Sequence, residues 1–260
     1  MSMTFEEQLT TRTAAVYADF LVPHLRADAM LLDVGCGGGS ISVGLAPKVG
    51  FVVGIDVDDD DFVEARAHVV EHGLDNVEFR VGSVYALGVP DASFDACLAH
   101  SVLEALDRPL DALREIHRAL RPGGVVGVAS VEYDGLILNG AQEPLLRRFY
   151  EIRERLWLLD GANPYLGRAL RGLLDAAGFE RVDATTSAMS YGTADSVRSF
   201  GLGRADDCRD EWYSSQAVAH GLASAEELDE MRRAWIEWSG SADAYASFSW
   251  CRAIGFTPDR

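Results

Sequence analysis

The chain has 260 residues, of which 48% are hydrophobic, and its 41 acidic residues against 23 basic ones give a formal net charge of −18. Such a field excludes binding driven by counterion release, so nucleic acids and anionic membrane surfaces are not expected partners. The size suits one α/β core or a core with a small cap, and no apolar run approaches the roughly 20 residues of a membrane span. The acidic, polar start from Met1 to Gln8 lacks the basic and apolar regions of a signal peptide, so cytoplasmic residence is expected.

In chain order, Phe5 to Leu25 carries Leu9, Val16, Tyr17, Phe20, Leu21 and Leu25 at approximate helical spacing, with Pro23 predicting a kink or an end. Met30 to Ser40 reads M-L-L-D-V-G-C-G-G-G-S. An apolar run ending in glycines predicts a buried strand, a tight turn that a ligand can approach, and a helix over Ser40 to Ala46 that closes before Pro47. Phe51 to Val57 predicts a second strand with Asp56 at its carboxyl end. The next helix should run to about His72 and stop at Gly73. Val77 to Val81 and Phe94 to His100 predict strands three and four. Pro109 opens a helix with Leu110, Leu113, Ile116 and Leu120 on one face. Arg121-Pro122-Gly123-Gly124 breaks it, and Val125 to Val131 predicts strand five, followed by Glu132, Tyr133 and Asp134 in a loop.

This β-α alternation predicts an α/β chain with a doubly wound, mainly parallel sheet whose ligands bind beyond the strands' carboxyl ends. The second half predicts helices at Glu143 to Leu159 and Leu166 to Ala177, with late strands at Glu180 to Ser190 and Ala246 to Phe256 forming a hairpin-like edge. Between these strands, 193–240 reads as a largely helical cap. Ser224 and Glu227 form a capping box there, and Leu228, Met231, Trp235 and Trp238 share a face. No linker marks a boundary, so 1–260 is expected to be one domain: an N-terminal helical segment (1–28), a ligand-binding core (29–135) and the cap.

The order of these segments resembles class I S-adenosylmethionine-dependent methyltransferases. L-L-D-V-G-C-G-G-G is similar to that family's first motif and G-I-D-V to its second. F-R-V-G-S-V is similar to the third, F-D-A-C-L-A-H-S-V-L-E-A-L to the fourth, and L-R-P-G-G-V-V to the strand-five motif. The nearest group is the ubiquinone/menaquinone-biosynthesis-type small-molecule methyltransferases. The N-terminal R-T-A-A-V-Y-A-D-F-L-V-P-H-L and the late tryptophan-rich helix extend that likeness. The resemblance implies a seven-stranded Rossmann-like fold, with the helical cap inserted before the last strand. It also implies S-adenosylmethionine as cofactor, with S-adenosylhomocysteine as product.

Carried over residue by residue, the resemblance implies that the Gly35-Cys36-Gly37 backbone meets the methionine and ribose parts of the cofactor. It implies that Asp33 faces the amino group, Asp56 takes both ribose hydroxyls and Val57 packs on the adenine. The position after Gly82 is usually an aspartate that accepts from the adenine amino group. Here it is Ser83, which leaves that contact weaker or gives it to the Val84 backbone. His100 would stand near the methionine end.

Methyl transfer from a sulfonium mostly needs two reactants held close and in line, and a base matters when the acceptor is a hydroxyl or an acidic carbon. Candidate bases or substrate orienters are His100, Glu132 and Tyr17, with Glu104 and Tyr133 beside them. His100 stands open between a plain strand-end histidine and a catalytic one. Trp235 and Trp238 read as core before substrate cage. The aspartates from Asp58 to Asp61 read as helix-start charge, so no metal site is expected. Cys36, Cys97, Cys208 and Cys251 lack C-x-x-C spacing, which argues against structural zinc and a disulfide framework. The expected reaction is methylation of a small aromatic or apolar acceptor by a monomer or homodimer. The alternative is a protein of this fold that binds the cofactor without methyl transfer, a cyclase or a regulator. A nicotinamide-dependent oxidoreductase is disfavoured by Ser40 in place of the third fingerprint glycine.

Overall fold

In a computed structural model that describes residues 12–60 and 62–259, the apolar run Met30–Val34 becomes the central strand β1. Strands β2 (Phe51–Asp56), β3 (Val77–Val81), β4 (Phe94–His100), β5 (Leu120–Asn139), β6 (Glu180–Tyr191) and β7 (Tyr245–Phe256) complete a seven-stranded sheet. Its order is β3-β2-β1-β4-β5-β7-β6. Strand β1 pairs in parallel with both β2 and β4, setting Asp33 opposite Gly54 on one side and Leu98 on the other. Chain order reverses at this pair of neighbours, so the carboxyl ends of β1 and β4 flank the switch point where such sheets bind ligands.

The described residues form two compact units. The first holds residues 12–131, 166–186 and 251–259. Its helices are α1 (Ala14–Tyr17), α2 (Ser40–Leu45), α3 (Phe62–Glu71), α4 (Pro109–Ala119) and, after Leu166, α6 (Leu170–Ala176). Alternate strand residues feed two separate cores, as the period of two requires. Leu32, Val34, Val53, Ile55, Cys97 and Ala99 join Leu113 and Ile116 of α4 in one core. Leu31, Val52, Ala96 and Leu98 join Ala14, Leu21 and Leu45 in the other. Burial on both faces explains why these strands read as continuous apolar runs.

The second unit holds 132–165 and 187–250. Its helices are α5 (Glu143–Leu159), α7 (Ala194–Asp207), α8 (Gln216–Ala219) and α9 (Ala225–Trp238), with a π-helical turn at Glu211–Ser215. Its core is aromatic: Phe149, Tyr150, Phe200, Trp235, Trp238 and Phe248 meet mostly edge to face. Trp235 and Trp238 are fully buried, and the Trp238 indole N–H donates to the Asn139 carbonyl at 2.8 Å. Both tryptophans are core residues.

Several expectations are corrected. Of the helix expected over Phe5 to Leu25, residues 5–11 lie outside the described residues. The rest is the single turn α1, then a 3-10 turn at Val22–His24 containing Pro23. Ala18 leaves helical geometry at φ −125°, and Ala18 and Leu21 are both fully buried. Strand β5 starts at Leu120 and runs on to Asn139, so Glu132, Tyr133 and Asp134 are strand residues rather than loop. Unbroken burial from Gly124 to Tyr133 carries the strand past Val131. The Leu166 to Ala177 helix divides into a 3-10 turn at Leu166–Ala169 and α6. The two late strands are neighbours at one end of the sheet, as expected, with β7 beside β5 and β6 outermost. Ser224 caps α9 by accepting from Glu227 N at 3.1 Å, but the Glu227 carboxylate accepts from Arg148 instead of closing the box. A reciprocal capping box forms at Thr193 and Ser196, where none was expected. Among the described residues, no helix is long and apolar enough to cross a membrane.

Candidate active site

The chain leaving β1 is stitched to the end of β2. Gly35 N donates to Ile55 O at 2.7 Å, and Gly37 N donates to Asp56 Oδ2 at 2.8 Å. Asp56 Oδ1 accepts from Val57 N at 2.7 Å. A carboxylate has about four lone-pair positions, so two backbone bonds leave Asp56 able to accept from a further pair of donors. Gly35 sits at φ +70°, and a Cβ there would run into Val102. Only glycine meets both demands. Cys36 packs against the small cluster of Phe62, Ala65 and Phe79.

Asp33, one residue before the end of β1, is 3% exposed and accepts from Ser42 Oγ at 2.5 Å. Burial pushes its carboxyl up to about 7, against the Ser42 bond and with help from the Asp56 charge. At neutral pH this carboxyl is poised between its two protonation states, and a cation beside it would drive ionisation.

Beyond β3, Gly82 N donates to Asp56 O at 2.8 Å. Ser83 closes the following turn on itself: its Oγ accepts from Tyr85 N at 3.3 Å, and its carbonyl accepts from Ala86 N at 2.9 Å. Val84 is buried in the core, whereas Val57 follows β2 with 70% of its surface exposed. The carboxylates of Asp58, Asp59 and Asp60 lie within 4.8 Å of one another, all exposed, ahead of α3. Asp61 lies outside the described residues.

At the end of β4, His100 is buried and meets Tyr17 edge-on, with ring centroids 5.2 Å apart. Arg12 Nη1 lies 3.3 Å from His100 Nδ1. Burial first, then the Arg12 charge, hold the imidazole well below its ordinary 6.5, so it is neutral. Burial raises the Tyr17 phenol, against the pull of Arg12. Ser101 follows at φ +62°, in the left-handed region that a residue with a Cβ enters only under tertiary constraint. The Ser101 N–H donates to Ala129 O at 2.8 Å, which pins that conformation to β5. Glu104 is buried and accepts from Ser130 Oγ at 2.6 Å, and burial raises its pKa.

The structure thus joins Gly37 to Asp56, and Tyr17 to His100, within the first unit. Glu132 is buried on the part of β5 that belongs to the second unit, and there the Tyr133 hydroxyl accepts from Arg153 Nε at 3.3 Å. Arg12, Ser42, Ser101 and Ser130 went unread in the sequence. Each is one polar residue in an ordinary context, and only the fold reveals its partner.

Comparison with known proteins gives a match to a family model described as a methyltransferase domain, over residues 32–128. An uncharacterized methyltransferase of Schizosaccharomyces pombe is 28% identical, over 87% of this chain and 84% of that one. A ubiquinone biosynthesis O-methyltransferase of Ruegeria pomeroyi is 37% identical over a shorter stretch, 38% of this chain and 40% of that one. Among solved structures, the cyclase SpnF is 26% identical with a TM-score of 0.54, covering 93% of this chain and 80% of the other.

Proposed function

We infer that this chain, a class I S-adenosylmethionine-dependent methyltransferase, passes the methyl group to a small organic acceptor of aromatic or apolar character, such as a quinone precursor or a secondary metabolite. The observation that carries the reading is the bonded unit of Gly35, Gly37 and Asp56, which puts an accepting carboxylate and close-approach backbone at one strand end. In this reading the Asp56 carboxylate takes both ribose hydroxyls, and the Gly35-Cys36-Gly37 backbone lies along the methionine and ribose. Asp33 answers the ammonium, whose charge would pull its poised carboxyl into the ionised form. Val57 packs on the adenine, and its exposure leaves that face available. Ser83 and Val84 line the adenine edge. The Ser83 hydroxyl already accepts from Tyr85 N, so it replaces the usual aspartate only weakly.

His100 stands at the methionine end, with Tyr17 assigned to the acceptor side. The whole chain is read as one functional domain. Transfer is an in-line displacement: the acceptor lone pair bonds the methyl carbon as the carbon–sulfur pair returns to sulfur. Alignment supplies most of the rate. Calorimetry with S-adenosylhomocysteine tests the placement. One site per chain is expected, weakened in Asp56→Ala, and equal affinity in that variant would displace Asp56 from the ribose.

A second reading, cofactor binding without methyl transfer, is favoured by one observation, the likeness to a protein named as a cyclase. The two readings part on whether the cofactor is consumed.

A further inference from the structure

Alternation along the last two strands sends Val182 and Ala253 to the core shared with α4 and α6, and Ile254 and Phe256 to the opposite face. On that opposite face Arg181, Asp183 and Thr185 of β6 stand exposed. Together with segment 20–24 these strand residues enclose a cavity of about 330 Å³, all of it within the first unit. Its floor is apolar, from Phe20, Ile254 and Phe256, and its rim carries donors. The Arg181 guanidinium carbon lies 4.2 Å from the centre of the Phe256 ring, and that of Arg252 lies 5.3 Å from the centre of the Phe20 ring. Arg252 Nη1 also donates to Asp19 Oδ1 at 2.6 Å. Among the described residues, no carboxylate is ion-paired with Arg181. Arg181 sits at φ +51°, a left-handed conformation that a residue with a Cβ keeps only under tertiary constraint. The cavity is placed by the end of β7. Thr257 N donates to Gly124 O at 2.9 Å and Gly123 N to Pro258 O at 3.2 Å, so its Phe256 end stands at the amino end of β5. Strand β5 runs parallel to β4, and β4 and β2 run parallel to β1. That end of the sheet is the one away from Asp33, Asp56 and His100. The Arg252 end reaches back toward β4, where its charge acts on His100.

We propose that this cavity is a second ligand site, separate from that of the cofactor, and that it takes a small aromatic carboxylate of one ring. The volume sits at the small end of the range of about 300–1,000 Å³ that ligand pockets span. The planar guanidinium of Arg181 matches a carboxylate bidentately, and the Thr185 hydroxyl supplies a further donor beside it. The ring of the ligand then lies on the Phe20, Ile254 and Phe256 floor, where it covers apolar surface that water would otherwise wet. Asp183 is the one acid among the lining residues, and it sets the limit on charge. A phosphate would hold its second negative charge against Asp183 and leave the floor uncovered. A cation would meet two guanidiniums. The site does not depend on the methyl-transfer reading and stands or falls by itself.

Benzoate is the probe, followed in methyl proton–carbon spectra of the full chain carrying labelled isoleucine. The Ile254 signal is assigned by its loss in Ile254→Val. Titration to about 10 mM, which nearly fills a site of millimolar Kd, is expected to move that signal through the ring current of the ligand. Arg181→Gln should raise the Kd about threefold to tenfold, and Asp183→Asn should lower it about twofold to fivefold. Benzamide, which has the shape without the charge, and inorganic phosphate, which has charge without a ring, should leave the signal in place. A stationary Ile254 signal overturns the proposal, and so does an equal response to benzamide or to phosphate. A general loosening of the fold would weaken binding in both variants, so Kd values that fail to move in opposite directions overturn it as well. Saturating S-adenosylhomocysteine should leave the benzoate titration unchanged, and competition between the two would overturn the separateness of the site.

Discussion

Asp33→Asn offers a measure of how much the buried carboxyl costs. The side chain is 3% exposed, and its carboxyl is lifted from 3.8 to about 7, chiefly by burial. Its folded pKa lies above its unfolded one, so the stability it lends is complete below the unfolded value and is lost as pH rises through about 7. At about 1.4 kcal/mol per pH unit, raising the pKa by about 3 corresponds to roughly 4 kcal/mol in all. Integrating the linkage, about 2–3 kcal/mol of that falls between pH of about 5 and about 8.5. Asparagine keeps an oxygen to accept from Ser42 and has no proton to lose. Urea unfolding of both proteins across that range is expected to show the original losing about 2–3 kcal/mol relative to the variant as pH rises. Profiles that stay parallel to within about 0.5 kcal/mol would mean that Asp33 ionises without penalty, and the account of its burial would be wrong.

Asp56→Ala removes charge-assisted bonds worth about 1.5–3 kcal/mol, so S-adenosylhomocysteine should bind about tenfold to a hundredfold more weakly by calorimetry. Gly35→Ala forces a Cβ into Val102 at φ +70°; left-handed strain alone costs about 1–2 kcal/mol, and thermal unfolding should show at least that loss. His100 is buried neutral with its pKa depressed, so its contribution is present above 6.5 and lost as pH falls. His100→Asn should therefore flatten the acid side of the stability profile, the opposite limb from Asp33→Asn. Trp238→Phe strands the Asn139 carbonyl that the indole N–H serves at 2.8 Å, and about 1–3 kcal/mol should be lost in denaturant titration.

The sheet of the first unit was largely legible because its central strands β1, β2 and β4 are buried on both faces. Met30–Val34 and Phe94–His100 are mostly apolar runs, whereas the edge strand Val77–Val81 alternates as V-E-F-R-V and buries only Phe79; the observed ends of all three match those expected. Strand β5 was cut short in the reading because Glu132 and Asp134 look like loop residues. The aromatic partners that bury Tyr133 come from Tyr150, Trp157 and Phe248, far along the chain. The site was legible where chemistry is local, as in the glycine turn and the acid that closes β2. It was illegible where partners are distant: Arg12 meets His100 across 88 positions, and Ser130 meets Glu104 across 26. Ser42 is only 9 positions from Asp33, yet nothing in an ordinary helical serine announces a buried carboxyl partner.

The central claim is tested most directly by a mass balance on the cofactor. The protein is incubated with methyl-labelled S-adenosylmethionine and a small-molecule extract rich in phenols and amines, and label and cofactor are followed together by chromatography and mass spectrometry. The account expects S-adenosylhomocysteine to appear mole for mole with a labelled small-molecule product. Recovery of intact S-adenosylmethionine while an extract component is rearranged without gaining the label would contradict it.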